Sequence, residues 1–162
     1  MELEIVRFEQ STHTAEDAAR AVGAELGQIV KSLVFVVPGP EQRAYLCLVS
    51  GANRVDEERL AAVVGEPQIR RATAREATEL SGFTIGGIPP IGHATPLRVV
   101  MDADLGRFPT VWAAAGTPDS VFSVPPATLR MLCNAVVVPI AQTALEGTGQ
   151  TEPERPGAST AA

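Results

Sequence analysis

Residues 29–50, IVKSLVFVVPGPEQRAYLCLVS, decide the fold. Within them, residues 32–37 are mostly β-branched and apolar, Pro38-Gly39-Pro40 is a turn sequence, and residues 44–50 are again mostly apolar. Two apolar runs of strand length on either side of a Pro/Gly turn are typical of a β-hairpin. This stretch therefore predicts two neighbouring strands of a sheet.

Sequence signals outside the hairpin predict further strands and four short helices. The predicted helices cover residues 15–22, 56–64, 74–80 and 126–132, and the additional strands cover residues 4–8, 68–71, 97–101, 111–115, 120–124 and 135–140. The capping sequences that begin at Thr14 and Thr73 indicate helix starts, and Gly23 and Gly82 are stop signals. Because strands and helices alternate irregularly, we expect a mixed α/β (α+β) class: a compact mixed sheet with short flanking helices.

Length and composition limit the class of protein. The chain has 162 residues, is 45% apolar and carries a formal charge of −6. A chain of this length buries enough surface for one core without metal or disulfide support. We expect a single domain over residues 1–145 and a flexible tail over residues 146–162, where Thr, Gly, Glu, Pro and Ala dominate.

Several classes of function are disfavoured by what the sequence lacks. No apolar run reaches membrane-spanning length, and the acidic start is unlike a signal peptide. Cys47 and Cys133 stand alone in apolar surroundings, and the chain has only two histidines, so no metal or cofactor is expected. The acidic balance and seven aromatic residues argue against DNA or general nucleic-acid binding. These observations favour a reduced cytoplasmic protein.

Lys31 is the single lysine among 13 Lys and Arg residues. It stands between apolar residues at the entrance to a predicted central strand, where a half-buried ammonium needs an anionic partner or a bound substrate. A compact, tunable ammonium can serve a role that Arg cannot. The alternative is a solvated cation at the edge of the strand.

The loop Gly86-Gly87-Ile88-Pro89-Pro90-Ile91-Gly92-His93 is a second candidate. Glycine lets backbone N–H groups approach a ligand closely, and proline holds a loop in one conformation. Such a loop can supply donors to a developing oxyanion. The alternative is an ordinary tight connection between a helix and a strand.

These two features, with Leu48-Val-Ser-Gly-Ala-Asn-Arg-Val-Asp56 and a late Ala-Ala-Gly before Pro-x-x-Leu, resemble the YbaK/ProX family over residues 14–141. Members are free-standing aminoacyl-tRNA deacylases related to the editing domain of bacterial prolyl-tRNA synthetase. The resemblance implies that Lys31 is the essential cation, Ser32 its neighbour in the pocket, and the glycine loop the part that faces the ester. Where many relatives carry a Gly-rich turn, this chain has Asn134, which tolerates a left-handed conformation.

The expected site is therefore as follows. Catalytic roles are assigned to Lys31, Gly92 and His93, and substrate-binding roles to Ser32, Asn53, Arg54, Gly86, Gly87, Pro89, Pro90, Gly116 and Ser120. His93 is either a general base or a structural hydrogen-bonding group. Arg54 either holds a phosphate or is solvated, and the cluster Arg70, Arg71 and Arg75 is either an RNA contact or an arginine face that balances nearby acids.

We expect an enzyme that hydrolyses the ester of a mischarged aminoacyl-tRNA and releases a small amino acid. Its partner is the aminoacylated 3′ end of tRNA, with an aminoacyl-tRNA synthetase as a possible second partner. Two alternatives remain open: a non-catalytic module that binds the aminoacyl end or a synthetase, and an esterase for small molecules.

Overall fold

The computed structural model of the protein describes residues 3–9, 14–41 and 43–142. The helices are α1 (Ala15–Val22), α2 (Glu57–Val64), α3 (Ala74–Ser81) and α4 (Pro126–Cys133), and 3₁₀ turns cover Leu26–Gln28 and Ala103–Arg107. The strands are β1 (Ile5–Arg7), β2 (Val30–Val36), β3 (Ala44–Ser50), β4 (Arg70–Arg71), β5 (Arg98–Asp102), β6 (Val111–Ala114), β7 (Ser120–Val124) and β8 (Val136–Val138). The expected tail over residues 146–162 lies outside the described residues.

The mixed α+β class is confirmed, with the strands divided between two sheets. The larger sheet has the order β4-β2-β3-β5-β8, in which β2 and β3 form the predicted antiparallel hairpin while β3, β5 and β8 run parallel. The smaller sheet, β1-β7-β6, is antiparallel. Both sheets contribute apolar side chains to the largest buried cluster. Burial of that shared core, together with a bridge between Ile29 and Trp112, joins the sheets.

The helix ends follow the capping signals in the sequence. Thr14 accepts a hydrogen bond from the N–H of Asp17, and Thr73 and Glu76 form a reciprocal capping box. The helix α4 ends at Asn134, which has φ of 50° and so adopts the left-handed conformation expected for it. Helix bounds therefore agree with the sequence prediction to within one residue, because a cap needs only neighbouring residues.

The central strand β2 is packed on both faces. Val30, Val34 and Val36 belong to the cluster shared with the smaller sheet, whereas Phe35 and Leu33 pack in the cluster that includes α2. Successive side chains of a strand point to opposite faces. Lys31 therefore lies on the α2 face and Ser32 on the face toward the smaller sheet.

Both cysteines are shielded by apolar packing. Cys47 is fully buried in β3, and burial raises the pKa of its thiol to about 12. Cys133 is partly buried, and burial raises its pKa to about 11. Neither thiol is activated as a nucleophile. No helix among the described residues has the length and apolar character needed to cross a membrane.

Candidate functional site

A cavity of about 280 Å³ opens beside the first half of β2. Its walls come from α1, β2, the end of β4, the loop after α3, and the β6–β7 hairpin. Most of the lining is aliphatic or aromatic, and the charged side chains are Lys31 and Arg71. A small concave site with an apolar wall and a few polar groups is typical of a ligand pocket.

Lys31 lies at the boundary of this cavity. Its half-buried ammonium donates a hydrogen bond to the backbone oxygen of Asn53, with a distance of 2.5 Å between Nζ and O. Burial lowers the pKa of Lys31 below its usual value, and the positive charges of Arg71 and Arg54 lower it further. The negative charges of Glu16 and Asp102 oppose this effect more weakly. The ammonium is therefore held by a neutral backbone oxygen, and its pKa stays lowered, so an anion bound beside it would stabilise its charge.

The Asn53 side chain points into a structural network. Its Nδ2 donates to Asp102 Oδ2 at 2.9 Å and to Asp104 Oδ2 at 2.8 Å. Asp102 is 1% exposed and also accepts a hydrogen bond from the N–H of Ser50. The Asn53 side chain thus fixes the turn after β3, and the backbone carbonyl of the same residue holds Lys31.

Ser32 lines the cavity, and it carries the one buried side-chain N or O atom of the described residues that lacks a hydrogen-bond partner. Its Oγ is buried and has no hydrogen-bond partner within that part of the chain. The other hydroxyl of the lining, on Thr14, already accepts the N–H of Asp17. Ser32 therefore forms part of the cavity wall, while its hydroxyl oxygen is shielded by neighbouring atoms.

The glycine loop reaches the cavity through its first part only. Ile85, Gly86 and Ile88 line the cavity, and the N–H of Gly86 donates to no group among the described residues. Gly87 lies so close to the β6–β7 turn that a Cβ there would be 2.7 Å from the carbonyl carbon of Thr117. The N–H of Gly87 donates to the Thr84 oxygen, whereas the N–H groups of Ile85, Gly86 and Ile88 donate to no group among the described residues.

The second part of the loop lies away from the cavity. Pro89 and Pro90 are buried, Gly92 is exposed with φ of 82°, and none of them lines the cavity. The His93 Nε2 lies 2.7 Å from the Pro89 oxygen, so Nε2 carries the proton in this contact. The His93 ring does not line the cavity either, and both interpretations of His93, general base or structural group, stay predictions.

The β6–β7 turn also lies outside the cavity lining. Gly116 has φ of 114° and faces the Phe83 ring, and the Ser120 Oγ lies 2.7 Å from the Oγ1 of Thr117. Trp112 and Ala114 line the cavity instead. These two residues are spaced by two along β6, so they share one face of the strand, whereas Gly116 lies beyond its end.

An outer groove of about 590 Å³ adjoins the cavity and shares Lys31, Leu33 and Arg71 with it. Arg54 is exposed and lines only this groove, as do three acids, Asp56, Glu57 and Glu58. Lys31 and Arg71 therefore stand where the inner cavity meets the groove.

Arg71 is a functional candidate that the sequence did not distinguish from the other arginines of its cluster, Arg70 and Arg75. Arg70 pairs with Glu76 at 2.8 Å and Arg75 with Glu79 at 3.2 Å, so both belong to a charge-balanced surface. Arg71 has no ion pair among the described residues, and it lines both the cavity and the groove. The sequence pattern that could have distinguished Arg71 is its position next to Arg70 in a predicted strand. Neighbouring strand residues point to opposite faces, so the two arginines could not share one surface.

A family model for the aminoacyl-tRNA editing domain matches residues 9–132. The chain belongs to this family. The resemblance seen in the lysine strand and the glycine loop is thereby confirmed. The cavity described above is thus a cavity of an aminoacyl-tRNA editing domain.

Relatives of this editing domain fall into two kinds. The uncharacterized protein YwhH of Bacillus subtilis is 33% identical over 77% of this chain and 78% of its own length. Proline–tRNA ligase of Stenotrophomonas maltophilia is 37% identical over 57% of this chain, which is only 16% of the ligase. A crystal structure described as a candidate trans-editing enzyme for prolyl-tRNA synthetase is 51% identical, covers 87% of each chain and has a TM-score of 0.80.

Proposed function

We propose that the protein is a trans-editing deacylase that hydrolyses the ester bond of a mischarged aminoacyl-tRNA at the 3′-terminal ribose. The observation that carries this proposal is the meeting of Lys31, Ser32 and Gly86 at one small cavity in an editing-domain chain. The relatives named after proline–tRNA ligase and its trans-editing support a tRNA of the proline type as the carrier.

Hydrolysis of an aminoacyl ester needs few catalytic groups, because the ester is already activated. Water adds to the ester carbonyl carbon, and the ribose oxygen leaves and takes up a proton. Negative charge develops on the carbonyl oxygen, where the Lys31 ammonium and the free N–H of Gly86 stabilise it. Gly87, Pro89, Pro90 and His93 keep Gly86 in place by packing and by the hydrogen bond within the loop.

The outer groove is the proposed path of the RNA end. Arg54 and Arg71 lie beside the cavity entrance, where phosphates next to the terminal ribose would pass. A few such contacts reconcile a chain of charge −6 with an RNA substrate, because only one end of the RNA is held. The neighbouring acids of the groove confine the phosphates to the side of the two arginines.

Replacing Arg71 or Arg54 by glutamine is expected to weaken tRNA binding and to reduce its salt dependence. Each lost phosphate contact should reduce the slope of log K against log salt by about 0.7, the value for single strands. Arg75→Gln is the matched control, because Arg75 pairs with Glu79 and lines neither the cavity nor the groove. Equal slopes in all three variants would remove the arginines from the RNA path.

The function itself is tested with a proline-type tRNA charged separately with alanine, serine, threonine and proline. Purified protein should release at least one of the first three amino acids and leave an uncleaved tRNA that can be charged again. Binding of the charged tRNA without release would favour the non-catalytic module. Aminoacyl-nucleoside esters cleaved as fast as the charged tRNA would favour the small-molecule esterase.

A further inference from the structure

We propose that the inner cavity receives the terminal nucleoside of the RNA, and that its adenine base stacks on the Trp112 ring. This inference rests on the proposed deacylase function, because the terminal ribose of a tRNA carries an adenine base as well as the aminoacyl ester. It goes beyond the phosphate path through the outer groove, since it gives the base a place of its own. Among the described residues, Trp112 is the aromatic one in the lining of the cavity.

Trp112 belongs to a floor of the cavity that the smaller sheet provides. Trp112 and Ala114 share one face of β6, and Val121 is the register partner of Ala114 on β7. All three line the cavity, whereas Ala113 between them is 1% exposed and belongs to the core on the other face. Because Ala114 and Val121 are smaller than tryptophan, they leave space beside the indole ring. A planar base can therefore lie on this strand surface.

The Trp112 side chain is held on one side and accessible on another. It packs against the cluster of Ala18, Ala19 and Ile29, which fixes it against α1. The residue is nevertheless only half-buried, and its indole N–H donates to no group in the described part of the chain. That N–H is not among the buried polar atoms without a partner, so it is accessible. Since a buried tryptophan N–H usually finds a partner within the fold, this accessible edge suits a ligand.

The cations at the entrance determine the direction in which the nucleotide lies. Arg54 and Arg71 line the outer groove, where the phosphates are proposed to pass, and Lys31 stands where the groove meets the cavity. A ribose carries its 5′ phosphate and its base at opposite ends of the sugar ring. With the phosphate in the groove and the ribose beside Lys31, the base extends into the inner cavity toward the floor.

The outer groove offers no comparable surface for the base. The aromatic residue in its described lining is Phe35, which is 2% exposed and packed in the cluster that includes α2. A ring so deeply buried has no face to which a base could stack. Of the described aromatic residues that line either space, Trp112 is therefore the one with accessible surface.

The volume of the cavity also favours a nucleoside over an aminoacyl group alone. The cavity has about 280 Å³, close to the lower end of the usual range for ligand pockets, about 300–1,000 Å³. An alanyl group has about five heavy atoms. Even at about 30 Å³ for each, the share of a water molecule in the liquid, these atoms fill only about half of the cavity. The remaining half is available to a planar base on the floor.

The test uses the fluorescence of Trp112, which is the single tryptophan of the chain. Two uncharged RNA hairpins with the acceptor stem of a proline-type tRNA are compared, one ending in adenosine and one ending in an abasic ribose. Both have the same phosphates and neither carries an aminoacyl group. The adenosine hairpin should quench the emission and bind about tenfold or more tightly than the abasic hairpin, because of base–aromatic stacking. The abasic hairpin should bind without quenching.

Variants assign this difference to the ring of Trp112. Trp112→Leu keeps an apolar side chain without a ring, so the ratio of the two affinities, measured with labelled hairpins, should fall from about tenfold to near one. Trp112→Phe keeps a ring and should retain a preference for the adenosine hairpin. Phe108→Leu is the matched control, because Phe108 lines neither the cavity nor the groove, and it should leave the ratio unchanged. Partial unfolding lowers both affinities together and so does not alter their ratio.

The outcomes for the inference and for the function are distinct. Equal binding of the two hairpins to the unaltered protein, or an unchanged ratio in Trp112→Leu, would overturn the inference and leave the deacylase proposal standing. Quenching by the adenosine hairpin without release of amino acid from any charged tRNA would overturn the deacylase proposal. Trp112 would then be the base-binding residue of a non-catalytic module.

Discussion

Lys31→Met is expected to lower kcat/KM for aminoacyl-tRNA hydrolysis by about 10²–10³-fold, the cost of removing one charge-stabilising group from an acyl-transfer site. Lys31 is the group in the cavity lining that combines a positive charge with a half-buried position. Arg71 and Arg54 repel its charge, and Glu16 and Asp102 attract it more weakly, so a bound oxyanion or phosphate would stabilise it further. The measurement is the rate of amino-acid release under single-turnover conditions.

The folded state should tolerate this change. Methionine keeps the length of the side chain, and it removes a half-buried charge whose pKa is lowered mainly by burial. The lowered pKa means that the unfolded chain binds more protons between the folded value and 10.5. Over that pH window, the stability of the unaltered protein relative to Lys31→Met should therefore rise with pH.

Two results would contradict the role of Lys31. Turnover by Lys31→Met at the rate of the unaltered protein would remove the ammonium from the mechanism. Full activity in Lys31→Arg would mean that any cation suffices, whereas we expect this variant to remain impaired because the guanidinium is larger and holds its donors in a rigid plane.

Gly87→Ala is expected to lower the free energy of unfolding by about 1–3 kcal/mol, the usual cost of forcing an extra carbon into a packed site. The new Cβ would lie 2.7 Å from the Thr117 carbonyl carbon and 2.8 Å from its Cα. Because both atoms are backbone, the loop or the β6–β7 turn must move. Denaturant unfolding measures the loss.

Activity should fall with stability in Gly87→Ala, since the neighbouring Gly86 lines the cavity and donates its N–H in the proposed mechanism. Gly106→Ala is the control. A Cβ at Gly106 meets no atom within 4 Å, and its φ lies outside the left-handed range. Its stability should change by less than about 0.5 kcal/mol. An unchanged free energy of unfolding in Gly87→Ala would contradict this prediction, because it would mean that the β6–β7 turn shifts at no cost in stability.

Much of the fold was predictable because its signals are local. The hairpin of β2 and β3, the capping box at Thr73 and the left-handed Asn134 each depend on a few adjacent residues, and the structure has all three. The division of strands into two sheets was not predictable in this way. It depends on which distant strands pair, and β1 pairs with β7 across most of the chain.

The candidate site, like the fold, was predictable from the sequence only in part. Lys31, Ser32 and Gly86 were expected at the site and do line one cavity. Gly92, His93, Gly116 and Ser120 were expected there too, but they do not line it. Composition marked the whole loop as special, yet only the packing of the loop on Thr117 decides which part of it turns toward β2.

The sequence alone determined the elements, the hairpin and the solitary lysine, because caps, turns and strand patterns act over a few residues. The tertiary structure decided that Arg71 lines the cavity while Arg70 and Arg75 form ion pairs, and that the Asn53 carbonyl accepts a hydrogen bond from Lys31. It also decided that the Ser32 hydroxyl has no hydrogen-bond partner in the part of the chain that the structure describes. Each of these depends on groups that are distant in the chain and are brought together only when the two sheets close over a common core.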